Sequence, residues 1–190
     1  DHRKVEEIIR MAFNYPDRIK RGGIGCPYEH WMGHELRHRD GILELSLVAQ
    51  LKSGTIVGHI ICSKAIVKIE NSILPVLNFG PLSVHPAYQR QGIGKTLVRA
   101  MIEKAKKLGY GAILFFGRPE YYPQFGFKEA AVYGISDAEG YNYPAFMAME
   151  LREGYLKNIR GGKFFESDIY NDKLNRETVI KFDRVFLNRK

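Results

Sequence analysis

Residues 76–97 read VLNFGPLSVHPAYQRQGIGKTL, and this stretch changes character at its centre. An apolar, β-rich segment runs to His85-Pro86, a short polar turn follows, and a helix begins near Gly92. The first N–H groups of a helix have no partner within the helix, and the helix dipole is positive at that end. Arg90 and Lys95 add cations beside the same turn. This order of elements predicts a binding site for phosphate groups.

Two common phosphate-binding motifs can be tested against this turn by counting. A P-loop, G-x-x-x-x-G-K-[ST], needs a glycine where the chain has Gln89. The dinucleotide fingerprint, G-x-G-x-x-G, fits Gly92 and Gly94 but needs a third glycine where the chain has Leu97. The turn therefore follows neither pattern, although its two glycines leave room for the backbone to approach a ligand.

The turn does match [QR]-x-x-G-x-[GA] after a strand that ends in V-x-P. In this it resembles the coenzyme A pyrophosphate loop of the GNAT superfamily of N-acetyltransferases. A second match follows the apolar strand at 112–117: residues 118–127 read RPEYYPQFGF, and Tyr122 stands four residues before a Gly-Phe pair, as in GNAT proteins. The resemblance covers about residues 1–152, and the YYPQFGF wording is similar to a bacterial subgroup of predicted acetyltransferases.

The order of predicted elements agrees with this resemblance. Asp1 is expected to cap a helix that runs through Phe13, and a second helix is expected from Pro27 to about Arg39, with breaks at Tyr15-Pro16 and Gly22-Gly23 between them. Strands are expected at 44–51, 55–69, from about 73, at 112–117, 127–133 and 145–151, with a helix at 92–108. The expected fold is α/β: a mixed, mostly antiparallel sheet, which the GNAT resemblance implies is splayed at one parallel strand pair.

The C-terminal part of the chain has a different composition. Residues 153–190 are polar with scattered aromatic residues and contain the hinge-like pair Gly161-Gly162, and a helix is expected at 176–185. We expect a GNAT domain at 1–152 and an extension at 153–190. The extension would pack on the domain or on a second subunit, and in the second case the protein is a homodimer.

The resemblance implies a set of ligand-binding residues for the cosubstrate acetyl-CoA. Backbone groups at the end of the strand would hold the pantetheine arm as an added strand. Main-chain N–H groups of the loop would hold the pyrophosphate. The residues concerned are Leu82, Ser83 and Val84 for the arm, and Gln89, Arg90, Gln91, Gly92, Ile93, Gly94 and Lys95 for the pyrophosphate.

The resemblance also implies the chemistry. The acetyl group moves directly to a primary amine of a small molecule, a peptide or a protein, without a covalent acyl-enzyme. Tyr122 is the expected general acid, because a phenol can donate a proton to the leaving thiolate. Tyr121 is expected to serve packing. Some GNAT enzymes carry a glutamate as general base at the position of Asn78, which cannot act as a base.

Two questions stay open from the residues alone. His59, Glu44 and His85 are alternative bases, each more consistent with a structural role. A non-catalytic acyl-CoA sensor would keep the Gly92–Gly94 loop and lack turnover; the retention of Tyr122 favours catalysis.

A rival signal lies at 34–38, where HELRH is a literal H-E-x-x-H sequence. On a helix its two histidines would share a face and bind zinc, as in metallopeptidases, with Glu35 as the base. Arg37 stands where a buried zinc helix needs an uncharged side chain, and Glu44 begins an alternating strand instead of supplying a third ligand. We therefore expect no metal. His30, His34 and His38 recur every four residues and predict one polar helix face.

Composition limits the other classes. The chain has 190 residues, 45% hydrophobic residues and a net charge of +8, which favours anionic ligands without naming one. It contains no nucleic-acid-binding motif, no membrane-spanning run and no signal-peptide pattern. Cys26 and Cys62 form neither a metal spacing nor a disulfide framework. These observations predict a cytoplasmic protein that binds neither nucleic acid nor membrane. The start at Asp1 instead of Met suggests that a short N-terminal piece is missing.

Overall fold

The structure, a computed structural model, describes residues 2–14 and 28–188. This part of the chain contains four α-helices and seven β-strands. In chain order they are α1 (His2–Ala12), α2 (Tyr28–His38), β1 (Gly41–Gln50), β2 (Ile56–Ile69), β3 (Ser72–Val84), α3 (Ile93–Lys107), β4 (Ala112–Phe116), β5 (Lys128–Glu129), β6 (Phe146–Glu150), β7 (Lys163–Phe165) and α4 (Asp172–Asn188). None of the described helices combines the length and the apolar character needed to traverse a bilayer. Several predicted features lie outside the described residues: the Asp1 cap, the breaks at Tyr15-Pro16 and Gly22-Gly23, the helix start at Pro27, and Cys26.

The strands form one mixed sheet of order β1-β2-β3-β4-β6-β5, with β7 paired to β2. β3 and β4 run parallel, with Leu77 beside Ile113. The pairs β4–β6, β5–β6 and β2–β7 are antiparallel. Two parallel neighbours need a crossover connection, and α3 lies in it. The predicted α/β class, with a mixed sheet and one parallel pair, is confirmed.

Two elements differ from the sequence prediction. The strand expected at 127–133 is limited to β5, because the chain turns into a 3₁₀ helix at Ala130–Tyr133 that ends at Gly134 with φ +71°. Ala130 is fully buried in that turn. The helix expected at 92–108 is shorter at both ends, because α3 runs from Ile93 to Lys107, and Leu108 is exposed.

Two compact units divide the chain. The first unit consists of Asp1–Ile61, Gly80–Leu97 and Asp168–Lys190, and the second of Cys62–Phe79 and Val98–Ser167. β2, β3 and α3 each run from one unit into the other. The predicted boundary between residues 152 and 153 stays a prediction; residues 153–167 belong to the second unit and 168–190 to the first.

The first unit contains a core in which the C-terminal segment packs on α2. Trp31 and Leu36 of α2 are buried together with Ile169 and Val179 of the C-terminal segment. His30, fully buried on the same helix, packs edge-on against two phenylalanine rings of α4, Phe182 at 4.8 Å and Phe186 at 4.3 Å between centroids. α4 thus covers His30, whereas His38 at the end of the same helix stays exposed.

The second unit has its own core between the sheet and the segment that follows β6. Its buried members come from β2, β3, β4 and β6 and from residues 130–164: Ala65, Val67, Val76, Ala112, Leu114, Ala130, Ile135, Phe146, Ala148, Leu156, Ile159 and Phe164. Tyr155 packs against this cluster and its hydroxyl donates to the Pro75 carbonyl oxygen at 2.7 Å. Residues after 152 therefore complete this core.

Gly111 gives a test of that packing. A Cβ at this position would overlap the Tyr155 ring. We expect Gly111→Ala to lower the free energy of unfolding by about 2 kcal/mol, because the ring or the backbone must shift. Urea denaturation measures this value. The same substitution in a Tyr155→Ala background should cost much less; an equal cost in both backgrounds would show that the ring is not the obstacle.

Candidate functional site

The chain leaves β3 through a hydrogen-bonded turn. The His85 N–H donates to the Val57 carbonyl oxygen at 2.8 Å, and the His85 Nδ1 accepts from the Ala87 N–H at 3.2 Å. This second bond caps the 3₁₀ turn at Pro86–Tyr88. The Gln89 side-chain amide then donates to the Val84 carbonyl oxygen at 3.1 Å. These bonds fix the path from the strand to the start of α3.

The start of α3 presents backbone N–H groups without helical partners. Gly92 has φ +84° and Arg90 has φ +61°, so both lie in the left-handed region before the helix. The Thr96 N–H donates to the Gly92 carbonyl oxygen at 3.0 Å as the first bond of the helix. The N–H groups of Ile93–Lys95 precede this bond and remain available to a ligand.

This helix start is open and positively charged. Gln89–Gly92 are exposed, and no described atom lies within 4 Å of the place that a Cβ on Gly92 would take. Arg90 and Lys95 are exposed, and neither forms an ion pair with a residue that the structure describes. Positive helix dipole, free N–H groups and two cations together suit a phosphate or pyrophosphate group.

The end of β3 packs closely under this helix start. Ser83 is 1% exposed, and its hydroxyl donates to the His59 carbonyl oxygen at 3.4 Å, while Leu82 and Val84 are partly exposed. Gly58 on β2 makes the close approach possible: a Cβ there would lie 3.1 Å from the Ser83 carbonyl oxygen and 3.2 Å from Ile93 Cγ2. The sequence analysis missed Gly58, because a single glycine inside a strand carries no signal of what approaches it.

The second unit holds Tyr122 in an aromatic cluster. Its ring packs edge-on against Phe79 at 5.7 Å, Phe115 at 4.6 Å and Phe127 at 6.0 Å between centroids. A Cβ at Gly117 would lie 2.5 Å from Tyr122 Cε2, so the glycine after β4 admits the ring. Tyr122 begins the 3₁₀ turn at Tyr122–Phe125, which Gly126 ends with φ +97°.

This environment keeps the Tyr122 phenol protonated. Burial, with a smaller contribution from neighbouring Tyr121, raises the pKa of Tyr122 well above its ordinary value. Burial also raises the pKa of Tyr121, whose ring lies 5.0 Å from that of Tyr122. A neutral phenol at physiological pH is a proton donor and not a nucleophile.

Of the candidate bases named from the sequence, the two histidines form hydrogen bonds within the fold and Glu44 is exposed to solvent. His59 is 2% exposed and bonds Ser46 Oγ through Nε2 at 3.1 Å; burial lowers the pKa of His59 to about 3. His85 uses Nδ1 in the turn described above. Glu44 is exposed on β1. A histidine that resists protonation this strongly is a weak proton acceptor.

Asn78 instead contacts a carboxyl group that the sequence analysis did not consider. Asn78 is 2% exposed, and its side-chain amide donates to Glu166 Oε2 at 2.5 Å. The two residues are 88 positions apart along the chain, so no local pattern links them.

The His-Glu-x-x-His sequence on α2 packs against other parts of the first unit. His34 Nδ1 and Arg37 Nη1 contact Glu6 Oε1 at 2.7 and 3.1 Å. Burial alone would raise the pKa of Glu6, but these two hydrogen bonds outweigh it and lower the pKa to about 2. Within the described ranges, no group of three or more His, Cys, Asp or Glu residues is arranged to hold a metal ion. His30, which we expected on a polar face, is buried.

Comparison with known proteins finds a family resemblance in the central part of the chain. Residues 43–129, just under half of the chain, match the family model of the Acetyltransferase (GNAT) domain. Over 89 residues the chain is 36% identical to the uncharacterized N-acetyltransferase YjhQ of Escherichia coli strain K12. This match covers 46% of the chain and 48% of YjhQ, about half the length of each protein.

Solved structures share the fold. The GNAT family N-acetyltransferase YhbS from Escherichia coli, solved in complex with CoA, has a TM-score of 0.75 and 23% identity, and the match covers 90% of this chain and 87% of YhbS. A GNAT family acetyltransferase from Brucella melitensis, solved with acetyl-CoA, has a TM-score of 0.57 and 25% identity, with 79% and 81% of the two chains covered. The predicted GNAT fold is therefore confirmed.

The buried imidazole of His59 makes stability depend on pH. Between about pH 6.5 and pH 3 the unfolded chain binds a proton at His59 that the folded chain does not, so stability falls as the pH falls. We expect this residue alone to remove about 2 kcal/mol between pH 7 and pH 5. Urea unfolding at both pH values, compared between the wild type and His59→Gln, measures the difference. An NMR titration that finds His59 protonating near its ordinary pKa would contradict the expectation.

Proposed function

We propose that this protein transfers an acetyl group from acetyl-CoA to a primary amine. The observation that carries the proposal is the exposed start of α3. Free N–H groups, a left-handed glycine and two cations lie there after β3, and neither cation forms an ion pair within the described part of the chain. The matched GNAT domain and the CoA complexes of the two similar structures support it. The acceptor is a small-molecule amine or an amine of a peptide or protein.

Two groups of backbone atoms would bind the cosubstrate. The N–H groups from Gln89 to Lys95 would hold the pyrophosphate, with Arg90 and Lys95 contributing charge. Backbone groups of Leu82–Val84 would hold the pantetheine arm; the Gln89 side chain already occupies the Val84 carbonyl. Acetyl-CoA supplies the acetyl group in activated form, as a thioester. The open space beside Gly92 is compatible with a bulky ligand at this turn.

Tyr122 would act as the general acid. When the thioester bond breaks, the sulfur leaves as a thiolate that needs a proton. The partly buried phenol is available for this purpose because its raised pKa keeps it protonated at neutral pH. The rings packed around the phenol restrict its orientation, and Gly117, which has no side chain, leaves room for it. The amine would attack directly, since no step requires an acyl-enzyme.

One experiment tests the proposal as a whole. Calorimetric titration with acetyl-CoA measures binding, and thiol release in the presence of a panel of polyamines, aminoglycosides, amino acids and lysine peptides measures transfer. Binding together with amine-dependent release is the expected result. Binding without release from any amine would favour an acyl-CoA-binding module that does not catalyse, and the absence of binding would overturn the proposal.

Lys95 tests the pyrophosphate site. We expect Lys95→Ala to weaken acetyl-CoA binding about tenfold, because it removes a cation at the positive end of α3. The loss should shrink at high salt. Lys107→Ala is the matched control, since it removes the same charge at the other end of the same helix. Calorimetry that finds the same affinity loss in both variants would indicate a general charge effect and not a site.

A variant of Tyr122 tests whether its phenol donates the proton to the leaving thiolate. We expect Tyr122→Phe to lower kcat at least about tenfold, while acetyl-CoA affinity changes little, because the ring keeps its packing and loses only the hydroxyl. Tyr121→Phe, which makes the same change at the adjacent ring, should keep wild-type turnover. Unchanged turnover in Tyr122→Phe would remove Tyr122 from the mechanism.

A further inference from the structure

β3 carries a polar side chain at a buried position where a sheet normally places an apolar one. Asn78 follows Leu77, the residue through which β3 pairs with β4. It is buried, and its amide donates to the Glu166 carboxylate at 2.5 Å. This short contact between an amide donor and a carboxylate is a specific hydrogen bond in a largely apolar environment.

The pairing of β7 with β2 places Glu166 beside Asn78. β7 pairs antiparallel with β2, with Phe165 opposite Ile66, and the next residue is Glu166. Phe164 anchors the strand against the rings of Phe146 at 5.3 Å and Phe116 at 6.4 Å. The carboxylate is therefore fixed by two ordered elements, although it comes from the polar C-terminal part of the chain.

Among the residues that the structure describes, no cation compensates the burial of the Glu166 carboxyl group. Burial raises the pKa of Glu166 to about 7, and the Asn78 hydrogen bond lowers it in part. The charged side chains on the adjacent strands are Lys163 on β7 and Lys64 and Lys68 on β2, and all three are exposed; the Lys68 ammonium lies 4.7 Å from the Phe165 ring centroid. Buried structural carboxylates are normally ionised and paired with a cation. Glu166 is partly exposed, so it can exchange a proton with solvent.

Glu166 and Tyr122 lie on opposite faces of β3. Successive side chains of a strand point to opposite sides of the sheet. Phe79 packs against Tyr122, whereas its neighbour Asn78 bonds Glu166. Val76, which shares the face of Asn78, belongs to the same buried cluster as Phe164. Thus a weakly acidic carboxyl group and a protonated phenol are located on the two sides of one strand.

We propose that Glu166 is the general base of this enzyme and that Asn78 is the positioning residue that holds its carboxylate. This inference rests on the proposed acetyl transfer. It assigns the base to the C-terminal part of the chain, although Asn78 occupies the strand position where a glutamate was expected. The nitrogen and the sulfur are bonded to one carbon in the tetrahedral intermediate, so the thioester carbon would lie at the edge of β3 beside Asn78 and Phe79. The acceptor amine would reach this carbon from the Asn78 face, and Tyr122 would serve the leaving thiolate from the other face.

The proton transfers balance as follows. The acceptor arrives as an ammonium ion, and the Glu166 carboxylate takes one of its protons. The free amine forms a C–N bond with the acetyl carbonyl carbon, and the C–S bond breaks. Tyr122 donates its proton to the sulfur and recovers one from the nitrogen through solvent. The products are an amide and a thiol, and Glu166 returns its proton to solvent.

The test compares the pH dependence of kcat/KM in variants of the full chain, with thiol release as the assay. We expect wild-type kcat/KM to rise with pH through about 7, because Glu166 must be ionised to accept a proton. Glu166→Gln should lose about 100-fold in kcat above that pH and lose this limb of the profile, with unchanged acetyl-CoA affinity. Glu166→Asp should recover part of the rate. Glu153→Gln, the same change at an exposed glutamate after residue 152, is the matched control.

The Asn78→Ala variant shows whether Asn78 positions the Glu166 carboxylate or only fills space in the core. Because the amide hydrogen bond favours the charged carboxylate, its removal should move the limb to higher pH without abolishing it. A second readout does not depend on turnover: between about pH 4.5 and pH 7 the folded chain binds a proton at Glu166 that the unfolded chain has released, so the contribution of Glu166 to stability falls as the pH rises. This change is opposite in sign to that of His59, so it is measured as the difference in the free energy of unfolding between the wild type and Glu166→Gln at each pH. A difference that does not change with pH would contradict the assignment.

The outcomes separate this inference from the proposed function. A wild type that neither binds acetyl-CoA nor releases thiol with any amine overturns the transferase, and the role of Glu166 with it. An active wild type whose pH profile survives in Glu166→Gln overturns the role of Glu166 alone. An unchanged profile in Asn78→Ala overturns the positioning role of Asn78.

Discussion

The alternation of side chains along β3 determines which groups the candidate site contains. Asn78 and Phe79 are adjacent in sequence and therefore point to opposite faces of the sheet. One leads to Glu166 and the other to Tyr122. A shift of one residue in the pairing of Leu77 with Ile113 would exchange these faces, burying the amide among aromatic rings and separating it from the carboxylate. The register of a single parallel pair thus constrains both ends of the proposed reaction.

The parts of the site that the sequence predicted are those fixed by local physics. The glycine turn before α3 depends on φ values that only neighbouring residues determine, and the free N–H groups follow from the start of any helix. The strand before the turn and the helix after it were evident from their periodicity, and the crossover made one parallel pair a necessary consequence. Tyr122, by contrast, was singled out by its resemblance to the GNAT tyrosine four residues before a Gly-Phe pair, and its role stays a prediction.

The parts that the sequence did not predict depend on contacts between distant segments. Glu166 appeared as one acidic residue among many in a polar segment, and only the pairing of β7 with β2 distinguishes it. The histidines of α2 seemed to form a polar face until α4 covered His30. His59 had the right chemistry for a base, yet its burial, which no local pattern reveals, makes it a weak one. In each case tertiary packing overrides the meaning of the residue type.

The core of the first unit also gives this protein a built-in spectroscopic reporter. The chain has one tryptophan, Trp31, which is 2% exposed. It is buried beside Ile169 and Val179, residues of the C-terminal segment. Detachment of that segment would bring the indole into water and shift its fluorescence to longer wavelength. The emission of one native residue can therefore follow the docking of the C-terminal segment in solution, with no label attached.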